Sequence, residues 1–272
     1  MHLEVVSDLT TDAFLAAFRR FTSRRGLCEA LYSDRGTNFV GADTELRRFF
    51  KSAVQDNPRW TNLLANDGVK WRFNPPSAPH VGGLWEAAVK SVKHHLRRVI
   101  GGSTLTYEEM ATLLSQIEAC LNSRPLQAMS DDPEDVAALT PGHFLIGTAL
   151  IAVPEPLLIQ APTNRLTRWQ HLQQMRDHFW ERWAQEYLHT LHERSKWRTK
   201  QSNVGPGDLC LIRSELTPPC QWPLARITEV HPGEDGQVRV VTARTAATTL
   251  TRPLAKIIPL PLRDDQKKGA SS

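Results

Sequence analysis

The spacing of apolar positions changes along the chain, and each change predicts a different architecture. From residue 2 to about residue 74, short apolar runs alternate with helical periodicity. HLEVV reads as a strand, TTDAFLAAFRRFTSRRG as a helix capped by Thr10 or Thr11 and stopped by Gly26, and CEALYS as a second strand. ADTELRRFFKSAV is again helical, with Leu46, Phe49, Phe50 and Val54 on one side, and VKWRFN is a third strand that Pro75 and Pro76 end. Alternation of this kind predicts a parallel sheet covered by helices. Two helices follow, from about Leu84 to Ile100 and from Tyr107 to Leu121. The second opens on a capping box of Thr106 and Glu109 and stops before Pro125.

Beyond residue 124 the pattern loosens. Residues 125–164 are rich in Pro, Asp, Ala and Gly without sustained periodicity and read as a connector of irregular structure. Over 165–200, Trp169, Leu172, Met175, Phe179, Trp183 and Leu188 recur near helical spacing, which predicts one long amphipathic helix. Trp169, Trp180 and Trp183 at that spacing read as core rather than as platforms for stacking bases. In 204–262 the period shortens: DLCLIR, LARITEV, VRVVTART and TLTRPLAKIIPL are short strands divided by turn signals such as HPGEDGQ, the pattern of a small antiparallel barrel. Residues 263–272 read as a disordered tail.

Composition sets the outer limits. A chain of 272 residues with 40% hydrophobic content can build a real core, and 33 Lys+Arg against 29 Asp+Glu leaves a net charge of +4 and a pI near 9.0. That excess permits a polyanionic partner, so the placement of the charge matters more than its sum. Cys28, Cys120, Cys210 and Cys220 are scattered, without a C-x-x-C pair or zinc spacing, and read as reduced thiols of an intracellular protein. No apolar run is long enough to span a bilayer, and no signal-peptide pattern, N-x-[ST] sequon, G-x-S-x-G elbow, phosphate-binding loop or dinucleotide fingerprint occurs.

Two places carry candidate chemistry. Asp34 follows the strand CEALYS, and groups that bind ligands in open parallel sheets gather at such strand ends. A turn with Arg35 and Gly36, capped by the same carboxylate, is the plainer reading. In SAPHVGGLWEAAVKSVKHHLRRVI, a step of about 100° per residue puts Glu86, Lys90, Lys93 and Arg97 in one narrow stripe beside an apolar face of Trp85, Ala88, Val92, Leu96 and Val99. A solvated face with Glu86 paired to Lys90 accounts for two of these residues. It leaves unexplained why the stripe continues as cations to Arg97, and why Gly82 and Gly83 precede it. His94 and His95, being adjacent, point to different sides of the helix, and His94 reads as part of a basic surface.

At this point the residues resemble a known family. HLEVVSDLTTDAFLAAFRRFTSRRG, YSDRGTNFVGA, APHVGGLWEAAVKSVK, LNSRPL, LTPGHFLIG and WPLARITEVHPGEDGQVRVVTART look like the integrase region of BEL/Pao-type retrotransposon polyproteins, in that family's order and over nearly the whole chain. The resemblance implies an α/β fold: a ribonuclease-H-like integrase core over 1–124, incomplete because its first strands are missing, then the connector, the long helix and a small SH3-like antiparallel β-barrel over 204–262. It implies Asp34 and Glu86 as the second and third members of a metal-binding Asp-Asp-Glu triad, and Lys90 and Lys93, with Arg97 and His94, as contacts to DNA.

Phosphodiester transfer of that class uses paired divalent ions, one activating the attacking oxygen and one stabilising the leaving oxygen, and hard carboxylate ligands suit Mg²⁺ or Mn²⁺. The departure from the pattern is that the family's first aspartate, on a strand before HLEVV, has no counterpart. Neither Glu4, Asp8 nor Asp12 matches it, and the family's zinc-binding amino-terminal module is also missing. The expectation is therefore a fragment of a retroelement reading frame, or a chain begun at an internal methionine. It would bind DNA, hold Mg²⁺ or Mn²⁺ only with a complete triad, and be inactive in strand transfer alone. The parent integrase would be a nuclear homo-oligomer with no membrane partner. The alternative is a non-catalytic DNA-binding remnant, or a domesticated protein, that uses the basic helix and the barrel.

Overall fold

The computed structural model describes residues 1–56, 69–75, 83–191, 204–213, 217–234 and 236–261. These form two compact units. One comprises His2–Arg98 with Leu105–Ala111; the other comprises Val99–Thr104 and Thr112–Ser272, together with Met1.

In the first unit, α1 (Thr11–Arg25) begins where Thr10 Oγ1 accepts the Ala13 N–H at 3.2 Å, and ends at Gly26, whose φ of 84° suits a residue without a Cβ. Strand β1 (Ala30–Ser33) is followed by α2 (Thr37–Asp56) and β2 (Lys70–Phe73). The two strands run parallel, Leu31 opposite Trp71 and Ser33 opposite Phe73. Their inward residues meet both helices around buried Leu15, Ala42 and Trp71, with Phe14, Phe39, Leu46 and Phe73 packed against that cluster. Phe14 and Phe39 touch edge to face at 5.1 Å between ring centroids. Helix α3 (Gly83–Ile100) closes the unit's main run.

Two expectations for this unit are corrected. Phe49 is exposed, not part of the helix's apolar side; its ring lies 5.6 Å from the guanidinium carbons of both Arg19 and Arg48, which gives it cation–π partners at the surface. HLEVV forms no strand, and side chains hold it instead of a neighbouring ladder. Glu4 accepts from Arg20 Nε at 2.9 Å and Arg24 Nη1 at 2.7 Å, while the Val5 carbonyl accepts from Arg20 Nη2 at 3.2 Å and Tyr107 Oη at 3.3 Å. The side chain of Val54, Pro76, Gly82, residues 192–200 of the expected long helix, Leu262 and the expected tail lie outside the described residues.

The Glu4 clamp has a pH signature. Partial burial pushes its carboxyl up, but the hydrogen bond from Arg20 and the charges of Arg20 and Arg24 outweigh that and hold it below the ordinary range. A depressed folded value means that the clamp's stability is fully present above the unfolded value, about 4.3, and is lost as pH falls through the folded one. The melting temperatures of wild type and Glu4→Gln should therefore differ at neutral pH and converge as pH falls below the ordinary carboxylate range. A difference independent of pH would show that the ion pairs contribute nothing.

Helix α4 (Tyr107–Asn122) opens within the first unit on the expected box, where the Thr106 N–H donates to Glu109 Oε2 at 2.7 Å and the Glu109 N–H donates to Thr106 Oγ1 at 3.2 Å, and from Thr112 onward it belongs to the second unit. The connector contains a two-residue ladder between β3 (Gln127–Ala128) and β4 (Ala138–Leu139) and a short helix, α5 (Pro141–Ile146). Helix α6 (Arg168–Leu191) buries Leu172, Met175, Phe179, Trp180 and Trp183 as its spacing predicts. Trp169, by contrast, is exposed, because it sits in the first turn ahead of the packed stretch.

Strands β5 (Leu209–Ile212), β6 (Leu224–Pro232), β7 (Val238–Arg244), β8 (Thr249–Pro253) and β9 (Ile257–Pro259) form one antiparallel sheet in the order β8-β7-β6-β5-β9. It is open, which corrects the closed barrel: β8 runs into Pro253, which lacks an N–H, and a 3₁₀ turn at Leu254–Lys256 separates it from β9, so the two edge strands do not pair. β5 is buried on both faces. Cys210 and Ile212 join a core with Ile227, Val241 and Ile257, whereas Leu209 and Leu211 face Ala138, Leu188 and Trp222. That is why LCLI reads as a continuous apolar run rather than an alternating one.

Within this unit, Arg226 fastens the connector to the sheet. Its buried guanidinium donates to the carbonyls of Asp135 at 2.8 Å, Gly207 at 2.7 Å and Ser130 at 3.0 Å.

Candidate functional site

Helix α3 carries the densest candidate chemistry. It runs unbroken from Gly83 to Ile100, and Gly101, at φ 55°, turns the chain out of it. Val92 and His95 are buried, with Ala88, Leu96 and Val99 half-buried on the same side. Glu86, Lys90, Lys93 and Arg97 are all exposed on the other side, as the helical step requires. Among the described residues no acid lies in an ion pair with Lys90, Lys93 or Arg97, and Glu86 is not bridged to Lys90. The stripe is thus not a ladder of alternating pairs; it presents three cations with their charge uncompensated. His94 is exposed at the stripe's margin, its ring 5.4 Å from that of His95, which faces inward, so the two histidines do point to different sides.

Asp34 sits in the turn after β1 and is exposed. Its Oδ1 accepts the Gly36 N–H at 2.9 Å, and its carbonyl accepts from Ser33 Oγ at 2.7 Å, which in turn accepts from Trp71 Nε1 at 2.9 Å. A Cβ on Gly36 would stand 2.7 Å from Asn38 Oδ1 and 3.2 Å from Asp34 Oδ1, so a larger residue there would displace these two side chains. The plainer reading of Asp34 as a turn cap is therefore realised through Oδ1.

The donor chemistry of Asp34 and Glu86 suits a hard divalent cation. Among the described residues no group of three or more His, Cys, Asp or Glu side chains comes together in a way that could hold a metal ion.

Sequence reasoning missed a second exposed cationic group in the same unit. Lys70 and Arg72 alternate with buried Trp71 along β2, and the Arg72 guanidinium lies 5.7 Å from the ring centroid of Tyr32 on β1, itself exposed. The signal was the period of two in KWRF, a polar and an apolar face on one short strand.

In the second unit, the outer face of the sheet offers hydroxyls and imidazole: His231 Nε2 lies 2.8 Å from Thr242 Oγ1, which is 3.3 Å from Thr251 Oγ1, with Arg239 and Arg252 exposed nearby in sequence. A cavity of about 30 Å³ lined in part by Trp180, Leu188 and Trp222 has room for water but not for a metabolite. Among the described residues no helix is long and apolar enough to cross a membrane.

A sequence-family profile described as "Family of unknown function (DUF5641)" matches residues 167–260, the stretch that holds α6 and the five-stranded sheet. No curated protein matches the chain.

Proposed function

We propose that this chain is a nucleic-acid-binding protein of retroviral-integrase type, similar to the integrase region of BEL/Pao retrotransposons, and that α3 lays its cationic stripe along a phosphate backbone. The observation that carries this reading is the row Lys90, Lys93 and Arg97, exposed on one side of a continuous helix and without a described acid to neutralise it. Phosphate contacts need positioned charge rather than base readout, and a helix with a buried opposite face holds that charge in fixed register. The α/β character of the first unit and the antiparallel sheet of the second agree with an integrase core followed by an SH3-like module, which is the finer fold we propose. DNA is the partner proposed for both.

Binding, rather than strand transfer, is the activity proposed for the chain by itself. Asp34 and Glu86 are the two carboxylates that the reading assigns to metal, and chemistry through Mg²⁺ or Mn²⁺ would require a third.

Fluorescence anisotropy on short DNA duplexes tests the proposal. Lys90→Ala, Lys93→Ala and Arg97→Ala should each weaken binding to a similar extent on unrelated sequences, and each should flatten the slope of log K against log salt by about one unit. Affinity and salt slope unchanged in the triple variant would overturn it.

A further inference from the structure

Four cysteines scattered through the sequence do not remain scattered in the fold. Cys120, in the last turn of α4, and Cys220, 100 positions later, bring their Sγ atoms to 3.9 Å, with Cys120 1% and Cys220 8% exposed. Both thiols are free, as are those of Cys28 and Cys210.

The backbone at Cys220 is unusual. A turn over Pro218–Gln221, closed by the Gln221 N–H on the Pro218 carbonyl at 3.1 Å, puts Pro219 in its second position and Cys220 in its third, and Cys220 has a φ of 63°. Among the described residues it is the one non-glycine residue with positive φ. Such a turn calls for glycine or asparagine there. A cysteine in that place is strained, and its thiol is directed onto Cys120; strain of this kind persists where the surrounding structure fixes a group for a purpose.

We infer that Cys120 and Cys220 are a reactive dithiol that a peroxide converts to a disulfide, tying the end of α4 to the segment that leads into β6. Cys220 is the attacking sulfur. It is the more exposed of the two, 8% against 1%, and its contacts with Cys120 and Ser123 and the charge of Arg176 hold its thiol below the ordinary range against the effect of burial. Cys120 is the resolving sulfur: its contact with Cys220 and its burial keep its proton in place. The Cys220 thiolate attacks one peroxide oxygen, the O–O bond breaks, and the departing hydroxide takes a proton to leave as water, giving the sulfenic acid. The Cys120 sulfur then attacks the Cys220 sulfur, the S–O bond breaks, and the hydroxide leaves with the Cys120 proton as a second water. Two thiols lose two electrons, and one peroxide is reduced to two waters. Cys210 provides an internal reference, since burial pushes its thiol up to about 12.

The test exposes the full chain to hydrogen peroxide at neutral pH and maps its peptides without reduction. The expected result is a linked Cys120–Cys220 peptide, a protein lighter by two hydrogens, a raised melting temperature and full reversal by dithiothreitol. Cys220 should lose its thiol at least about tenfold faster than Cys210. In Cys120→Ser, dimedone should trap a sulfenic acid on Cys220. Persistence of both thiols at peroxide levels that oxidise Cys28, or linkage of any other pair, would overturn the inference. The wild-type peptide map decides this even if the serine variant fails to fold.

Discussion

Arg176→Leu is expected to lower the stability of the second unit by about 3–5 kcal/mol, because it strands a charge in the interior. Asp177 is completely buried. Its Oδ1 accepts from Arg176 Nε at 3.0 Å and Nη2 at 2.8 Å, and its Oδ2 accepts the Leu158 N–H at 3.1 Å. The third arm of the guanidinium, Nη1, reaches Glu155 Oε2 at 2.6 Å. One arginine thus pairs with two carboxylates from two segments and fastens the connector to α6. Leucine would leave Asp177 with a single amide donor and no counter-charge, and burial without pairing is what makes such losses large. Urea denaturation monitored by tryptophan fluorescence measures the difference. Glu155→Gln, which removes the outermost and most exposed partner, should lose less than half as much. A loss under about 1 kcal/mol for Arg176→Leu would mean that water reaches Asp177 and that the network is a surface feature.

Trp180→Ala should be of similar size, about 3–5 kcal/mol, but for a different reason. The indole is 1% exposed and stands edge-on to Trp222 at 4.9 Å, with Trp183 at 6.2 Å, while its Nε1 donates to the Thr217 carbonyl at 2.9 Å. Truncation opens a void among rigid rings that cannot collapse around it and leaves the Thr217 carbonyl without its donor. Trp180→Phe refills most of the void and forfeits only the hydrogen bond, so it should retain more than half of the lost stability. Equal losses in the two variants would assign the effect to the hydrogen bond instead of the packing.

How much of this was legible in the sequence depends on whether the determining contacts are local. The helix at Thr11–Arg25, its Thr10 cap and its Gly26 stop, and the box at Thr106 and Glu109 follow from neighbours a turn apart, and they stand where the residues put them. The exposure of Lys90, Lys93 and Arg97 follows equally from helical spacing. HLEVV was misread because an apolar run shows only that a segment prefers burial; whether it joins a sheet depends on a neighbour strand, and here Arg20, Arg24 and Tyr107 take that part. The closure of a barrel was out of reach for the same reason, since it depends on whether two edges meet across the molecule. The meeting of Cys120 with Cys220, and of Arg176 with Glu155, spans stretches that no period connects.

The guanidinium of Arg226 bears on where an autonomous folding segment begins. The family profile starts at residue 167, yet two of the three carbonyls that Arg226 binds belong to Ser130 and Asp135, well before that boundary. A polypeptide cut to 167–260 would keep the Gly207 carbonyl and lose the other two, turning a saturated interior cation into one seeking solvent. The stretch that the family profile matches is therefore shorter than the stretch that completes its own hydrogen bonding, and the profile and the physical module have different ends.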